Sequence, residues 1–228
     1  MAARVFPDLS ETYVLPNLGW GEPVVYAALA AGEGARESLA ARLIEALAKL
    51  SPEWAGALAW GVLVLDAGPL GQPLLRLGGK PGPGLSFSET GGLLWGATTG
   101  QGKIGVDAAL EKDFASPYPF ARAFGREEWD WAWRHCQGRP AAAAALLWAA
   151  KEAAVKALGT GFHTTDPRDL EVALLCPSGE GLHLEVQARE AVSAWARPLA
   201  AGWLALAVVL GALNPNKRLI EGILKSGR

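Results

Sequence analysis

The chain has 228 residues, half of them hydrophobic and 19% charged, so one large domain or two small ones can bury a sizeable core. A formal net charge of −2 at pH 7 argues against a general nucleic-acid-binding protein, whose surface would be basic. The N-terminal residues lack the apolar run of a signal peptide, and the apolar run at 200–213 is too short to cross a bilayer as a helix, so we expect a cytoplasmic protein without a membrane partner.

The first part of the chain predicts an irregular segment, a strand and a helix. Residues 1–23 contain three prolines and should lack regular structure. The apolar run 24–31 predicts a strand, and apolar residues that recur at spacings of three and four predict a helix over 33–50. Residues 54–66 are ambiguous between helix and strand, and we favour a strand over 61–66.

Glycine and proline dominate the segment 68–84, which therefore predicts turns and not regular structure. Strands are predicted over 85–89 and 93–98, on either side of the Gly91-Gly92 turn, and again over 103–107. The short turns between these runs favour antiparallel strands joined by hairpins.

The second part of the chain repeats this order of elements. After a Ser-Pro-Tyr-Pro linker at 116–119, helical regions are predicted over 120–137 and 141–158. Strands are predicted over 170–175, 182–188 and 203–210, with a turn around Pro198, and a short basic amphipathic tail follows 214–216. Long helices combined with antiparallel strands predict an α+β fold.

Cysteine and histidine residues form no recognisable metal-binding pattern. Cys136 and Cys176 lack the spacing of a metal site, and the three histidines do not cluster in the sequence. We interpret both cysteines as free thiols in a reducing compartment.

The helix predicted over 141–158 carries the most suggestive polar residues. Trp148, Glu152 and Lys156 are spaced one helical turn apart and fall on one stripe. A carboxylate and an ammonium in this arrangement can bind a metal ion and a phosphate side by side. The alternative is an ordinary Glu-Lys pair on a solvated helix face, which is common on helix surfaces.

Two further segments are candidates. Asp107 ends an apolar strand behind a glycine, where it either points into a cleft or caps the following turn. Ser86-Phe87-Ser88-Glu89 offers hydroxyl and backbone N–H groups for a phosphate, or else it forms a polar hairpin turn. The chain contains no P-loop, no dinucleotide-binding glycine motif and no G-x-S-x-G nucleophile motif.

Taken together, these segments resemble the 4′-phosphopantetheinyl transferase superfamily. The segment from Trp148 to Gly161 matches the family signature W-x-x-K-E-x-x-x-K-x-x-G-x-G at every fixed position. Further similar segments are Gly71-Gln72-Pro73, Ser86-Phe87-Ser88-Glu89, Gly105-Val106-Asp107 and Phe124-Gly125-Arg126-Glu127-Glu128. The resemblance spans roughly 60–210, and the chain length is similar to that of the larger, monomeric class.

This resemblance implies a pseudo-dimer of two similar α+β halves, which we place at 1–103 and 104–228, with coenzyme A held between them. It also implies a holo-[acyl-carrier-protein] synthase type of enzyme. Such an enzyme moves the 4′-phosphopantetheine arm of coenzyme A to a serine of an acyl or peptidyl carrier protein, releases adenosine 3′,5′-bisphosphate and requires Mg²⁺.

The resemblance also assigns roles to individual residues. It implies that Asp107, Glu152 and Glu128 are metal ligands, with Glu152 also available as the base. Lys156 would stabilise charge on the phosphates, as both a catalytic and a coenzyme-binding group. Coenzyme A would further contact a set of four residues, namely Gln72, Ser88, Glu89 and Lys151.

Three positions depart from the family pattern. Ala109 replaces an expected acid, Glu89 replaces a histidine and Gln72 replaces a lysine. The last two changes should weaken the binding of coenzyme A phosphates unless other cations compensate, and the candidates in the sequence are Arg76, Lys80 and Lys103. The alternative function is a catalytically impaired relative that binds coenzyme A or a carrier protein without transfer.

Overall fold

The computed structural model describes residues 6–15, 17–56, 59, 61–100, 102–115 and 117–209. Its first sheet has four antiparallel strands in the order β1-β2-β7-β6. The strands of this sheet are β1 (Thr12–Val14), β2 (Val24–Ala30), β6 (Gly84–Thr90) and β7 (Leu93–Thr99). The structure confirms the predicted strands at 24–31, 85–89 and 93–98 and adds the short strand β1 in the segment predicted to be irregular.

Helix α1 (Ala35–Leu50) covers one face of this sheet. Its buried residues are Leu39, Ala40, Leu43, Ile44 and Leu47. These recur at the three- and four-residue spacing from which the helix was predicted, and they pack on β2, β6 and β7. The prediction is confirmed, although the helix begins two residues later than expected.

The glycine-rich segment forms regular structure, so the prediction of turns alone was wrong. Strand β3 (Leu63–Ala67) confirms the strand predicted over 61–66, just before this segment. It forms a small antiparallel sheet with β4 (Pro73–Leu77) and β5 (Lys80–Pro81), which lie within the segment. The glycines occupy its turns, where Gly78 and Gly79 have φ values of 55° and 79°. Leu75 and Leu77 of β4 are buried beside α1, and this burial holds the strand in place.

A second sheet has five antiparallel strands in the order β8-β12-β11-β10-β9. The strands of this sheet are β8 (Lys103–Leu110), β9 (Glu171–Ser178), β10 (Gly181–Gln187), β11 (Val192–Leu199) and β12 (Gly202–Val209). Strand β11 was not predicted, because Pro198 was read as a turn. Pro198 is the second-last residue of β11 and pairs with Trp203 of β12. It lies beyond Ala196, where the pairing of β11 with β10 ends, so this part of the strand is an edge at which proline is tolerated.

Helix α4 (Pro140–Leu158) packs on the second sheet. Proline at its first position and Gly159 at its C-cap, with φ 74°, fix its two ends. The predicted helical region 120–137 is divided into α2 (Phe120–Ala123) and α3 (Arg126–His135), because Phe124 and Gly125 adopt extended backbone. No helix in the described part of the chain is long and apolar enough to span a bilayer.

The two sheets pack face to face, and α1 and α4 cover their outer faces. The core between the sheets contains Tyr26, Trp95, Val106, Trp195 and Leu206. The edge strands β6 and β8 also meet, since the Val106 amide donates to Ser86 Oγ at 3.1 Å.

The α+β class is thus confirmed. The pseudo-dimer relation and the boundary at residue 103 stay predictions. The tail beyond 209 lies outside the described residues.

Candidate active site

A cleft of about 390 Å³ opens where β6, β8 and α4 meet, beside the start of α1. Its charged lining residues are Arg36, Glu89, Asp107, Asp113, Glu152 and Lys156. Phe87, Phe114 and Trp148 form its aromatic walls. The stripe predicted on α4 therefore faces this cleft and not bulk solvent, since Trp148, Glu152 and Lys156 all line it.

Gly105 explains how α4 comes so close to β8. A Cβ atom added at this position would lie 1.9 Å from the Ala153 carbonyl oxygen and 2.8 Å from the Ala157 amide nitrogen. Only glycine allows this approach of helix to strand. Because side chains two residues apart in a strand share a face, Asp107 points to the same side, towards α4.

Two side-chain donors hold the Asp107 carboxylate. Lys156 Nζ lies 2.7 Å from Asp107 Oδ1, and Ser88 Oγ donates to the same oxygen at 2.8 Å. Burial raises the pKa of the Asp107 carboxyl, while the charge and hydrogen bond of Lys156 and the hydrogen bond of Ser88 oppose this rise. The structure thus brings together three residues that are far apart in the sequence.

Lys156 joins the helix to both edge strands. Besides Asp107, its Nζ donates to the Val106 carbonyl oxygen at 3.1 Å and to the Phe87 carbonyl oxygen at 3.5 Å. These contacts hold the ammonium at the floor of the cleft, next to the two carboxylates of Asp107 and Glu152.

Glu152 is the second carboxylate at this point. Burial raises the pKa of Glu152, and the nearby Asp107 charge raises it further, while Lys156 lowers it. No described residue forms a hydrogen bond or ion pair with the Glu152 carboxylate. Its oxygens are therefore available to a ligand or a proton.

The residues present fit a Mg²⁺ ion that is shared with a substrate. No group of three or more His, Cys, Asp or Glu side chains suited to a metal ion occurs within the described ranges. Mg²⁺, however, commonly uses one or two carboxylates together with phosphate oxygens and waters. Asp107 and Glu152 supply two such carboxylates. Ala109 lines the same cleft at the position where the family pattern has a further acid.

Glu128 and Lys151, in contrast, do not line the cleft. They form an ion pair whose side chains are 1% and 0% exposed. Glu128 accepts hydrogen bonds from the Gly125 amide at 2.7 Å and the Val172 amide at 2.8 Å. Both oxygens are therefore engaged within the protein, and the carboxylate does not face the cleft.

Lys151 is the centre of this buried cluster. Its Nζ also donates to the Ala123 carbonyl oxygen at 3.0 Å and the Pro167 carbonyl oxygen at 2.8 Å. Burial lowers the pKa of Lys151, and the Glu128 charge opposes this effect. The cluster fastens α4 to α2, α3 and the segment before β9. The site that we propose therefore does not include Glu128 as a metal ligand or Lys151 as a coenzyme ligand.

Only some of the residues predicted to bind phosphate lie in the cleft. Ser88 and Glu89 line the cleft, whereas Gln72 does not. The Gln72 amide lies against the C-terminal end of α4, where a Cβ on Gly159 would be 2.7 Å from Gln72 Nε2. None of the three candidate compensating cations lines the cleft, and Arg76 pairs with Asp66 on the protein surface.

Arg36 was missed in the sequence. It lies in the first turn of α1, and its guanidinium is 6.0 Å from the centroid of the Phe87 ring. The helix N-terminus behind Gly32-Glu33-Gly34 was readable from the sequence. Its position beside β6, however, depends on how α1 packs on the first sheet.

Residues 103–204 match the family model of the 4′-phosphopantetheinyl transferase superfamily. These residues form a 4′-phosphopantetheinyl transferase superfamily domain. The domain contains Asp107, Glu152 and Lys156, while Arg36, Ser88 and Glu89 come from the preceding part of the chain. The comparison with curated proteins gave no match.

Proposed function

We propose that this protein transfers the 4′-phosphopantetheine arm of coenzyme A to the serine hydroxyl of an acyl or peptidyl carrier protein, with Mg²⁺ as cofactor. The superfamily domain supports phosphopantetheine transfer in general. The observation that carries the specific proposal is the meeting of Asp107, Glu152 and Lys156 at the floor of one cleft. This arrangement combines two carboxylates for a metal ion with one cation for a phosphate.

Each residue has a defined task in this reaction. Asp107 and Glu152 would hold the metal ion, which supplies positive charge to the diphosphate of the donor. Ser88 and Lys156 keep the Asp107 carboxylate oriented through their hydrogen bonds to Oδ1. Lys156 also offers an ammonium that stabilises negative charge on the transferring phosphoryl group.

Glu152 is the group best placed to accept the serine proton, directly or through a water. Its carboxylate is free of protein hydrogen bonds within the described residues, whereas that of Asp107 is held by two side-chain donors. The serine oxygen then attacks the phosphorus next to the pantetheine arm, and adenosine 3′,5′-bisphosphate leaves.

Arg36 compensates in part for the cations that are missing at Gln72 and Glu89. It lines the cleft from the first turn of α1, where it can meet a phosphate of the donor. We further assign the chain to the larger, monomeric class of these transferases, because its N-terminal half contributes Arg36, Ser88 and Glu89 to the same cleft.

A mass-spectrometric transfer assay tests the proposal. The protein is incubated with coenzyme A, Mg²⁺ and several apo carrier proteins, and the carriers are examined for the added phosphopantetheine mass. Glu152→Gln and a chelator serve as negative controls. If no carrier is modified while a known transferase modifies the same set, the enzymatic proposal fails.

A second candidate function is that of a binding protein without transferase activity. Ala109 favours it, because this cleft residue replaces an acid of the family pattern and removes one potential metal ligand. This candidate predicts that coenzyme A or a carrier protein binds, as measured by calorimetry, while no carrier is modified in the transfer assay.

A further inference from the structure

The charges around the cleft are unfavourable for a highly anionic donor. Among the described residues, its lining contains four acids, Glu89, Asp107, Asp113 and Glu152, but only two bases, Arg36 and Lys156. Lys156 is already paired with Asp107. A metal ion on Asp107 and Glu152 can offset the diphosphate. Apart from Lys156, the only base among the described lining residues is then Arg36, which has to serve the part of the cleft that contains Glu89.

A second cavity of about 250 Å³ adjoins the cleft and shares Arg36 and Glu89 with it. The turn before α1 forms one wall, and Glu37 contributes a further carboxylate. A donor whose diphosphate lies at the Asp107 end can extend its adenosine end past Arg36 and Glu89 into this second cavity. The charged side chains at that end are one guanidinium and two carboxylates.

A 3′-phosphate on the adenosine would be a dianion in this surrounding. Arg36 and the N-terminus of α1 attract it, whereas Glu37 and Glu89 repel it. Because these contributions oppose each other, the site has little means of favouring a donor that carries this phosphate over one that lacks it.

We propose that the donor site does not select for the 3′-phosphate, and that dephospho-coenzyme A is used at least as efficiently as coenzyme A. This inference rests on the proposed function and specifies its substrate class. The serine oxygen forms a bond to the pantetheine-linked phosphorus, and the phosphorus–oxygen bond to the adenylate breaks. The serine proton passes to Glu152, and 5′-AMP leaves in place of adenosine 3′,5′-bisphosphate.

Glu89 is the specificity-determining residue in this account. Its side chain is exposed, so Glu89→Gln should fold normally and should remove one repulsive charge. We expect this variant to raise the ratio of kcat/KM for coenzyme A to that for dephospho-coenzyme A by about tenfold or more. Glu45→Gln, which removes an exposed acid of α1 outside both cavities, should leave the ratio unchanged.

The experiment compares the two donors with one apo carrier protein, in the wild type and in both variants. Equal or better use of dephospho-coenzyme A by the wild type, together with the shift in Glu89→Gln, supports the inference. A reproducible wild-type preference for coenzyme A, or an unchanged ratio in Glu89→Gln, overturns it while leaving the proposed function intact.

Nucleotide binding provides a readout that does not depend on transfer. The affinities of 5′-AMP and adenosine 3′,5′-bisphosphate are measured by calorimetry with the wild type and Glu89→Gln. If neither donor modifies a carrier, the proposed function fails, and these affinities still decide the selectivity of the site. Similar affinities in the wild type support the inference, and clearly tighter binding of the bisphosphate overturns it.

Discussion

Replacing Lys151 by methionine tests whether this signature residue is structural or binds coenzyme A. The substitution keeps the length of the side chain but removes the ammonium from a cluster in which it meets Glu128 and two carbonyl oxygens. It leaves the Glu128 carboxylate, 1% exposed, without its counter-ion. Two backbone amides still donate to that carboxylate and reduce the damage.

Loss of one partner of a buried ion pair costs about 3–5 kcal/mol of unfolding free energy. For a chain of this size, about 1 kcal/mol corresponds to a shift of roughly 2–4 °C in Tm, so Lys151→Met should lower Tm by about 10 °C. Urea unfolding followed by tryptophan fluorescence measures the same change, since the chain contains ten tryptophans. Adding Glu128→Gln should recover part of the loss, because it removes the unpaired charge.

Lys49→Met is the matched control. It removes a cation from an exposed helical pair with Glu45, whose side chains are 71% and 60% exposed, so the loss should be below about 1 kcal/mol. A Lys151→Met variant within about 1 kcal/mol of the wild type, combined with a raised KM for coenzyme A, would refute the structural role and return Lys151 to the ligand site.

Three further predictions concern the packing, the thiols and the cleft. Gly105→Ala should lose about 2–3 kcal/mol of stability in urea unfolding, because the new Cβ would overlap the backbone of α4, and an unchanged stability would contradict the close approach. At pH 8 the exposed Cys176 should react quickly with a thiol reagent, whereas Cys136 should react only after denaturation. Burial raises the pKa of the Cys136 thiol to about 11 and so lowers its thiolate fraction. Two fast-reacting thiols per native chain would contradict this prediction. The Lys156→Met variant should lose transfer activity but bind Mn²⁺ about tenfold more tightly in the absence of donor, because the substitution removes the cation that competes for Asp107. Electron paramagnetic resonance measures the Mn²⁺ affinity. Weaker Mn²⁺ binding would show instead that Lys156 supports the metal site.

The sequence predicted most of the regular elements, because hydrophobic periodicity and turn residues are local signals. The α1 spacing and the Gly91-Gly92 turn were sufficient for their elements. The prediction was wrong where one local signal opposed another. Glycine-rich turns concealed the strand β4, whose burial against α1 is a tertiary effect, and Pro198 concealed β11.

For the site, the signature on α4 was sufficient to select Glu152 and Lys156, because a helical spacing places them on one stripe. The same sequence pattern did not separate their roles from that of Lys151. Successive residues on a helix are about 100° apart, so Lys151 and Glu152 point in different directions. Only the packing of α4 decided which of them enters the cleft and which enters the buried cluster.

The sequence by itself determined the set of chemical groups, namely the carboxylates and the ammonium that a phosphoryl-transfer site needs. The tertiary structure determined which of these groups lie next to one another. Gly105 lets α4 lie on β8, which brings Lys156 to Asp107, and the packing of α1 on the first sheet brings Arg36 to the same cleft as Glu89. Local periodicity states which residues share a face, but only the packing of distant segments determines what that face meets.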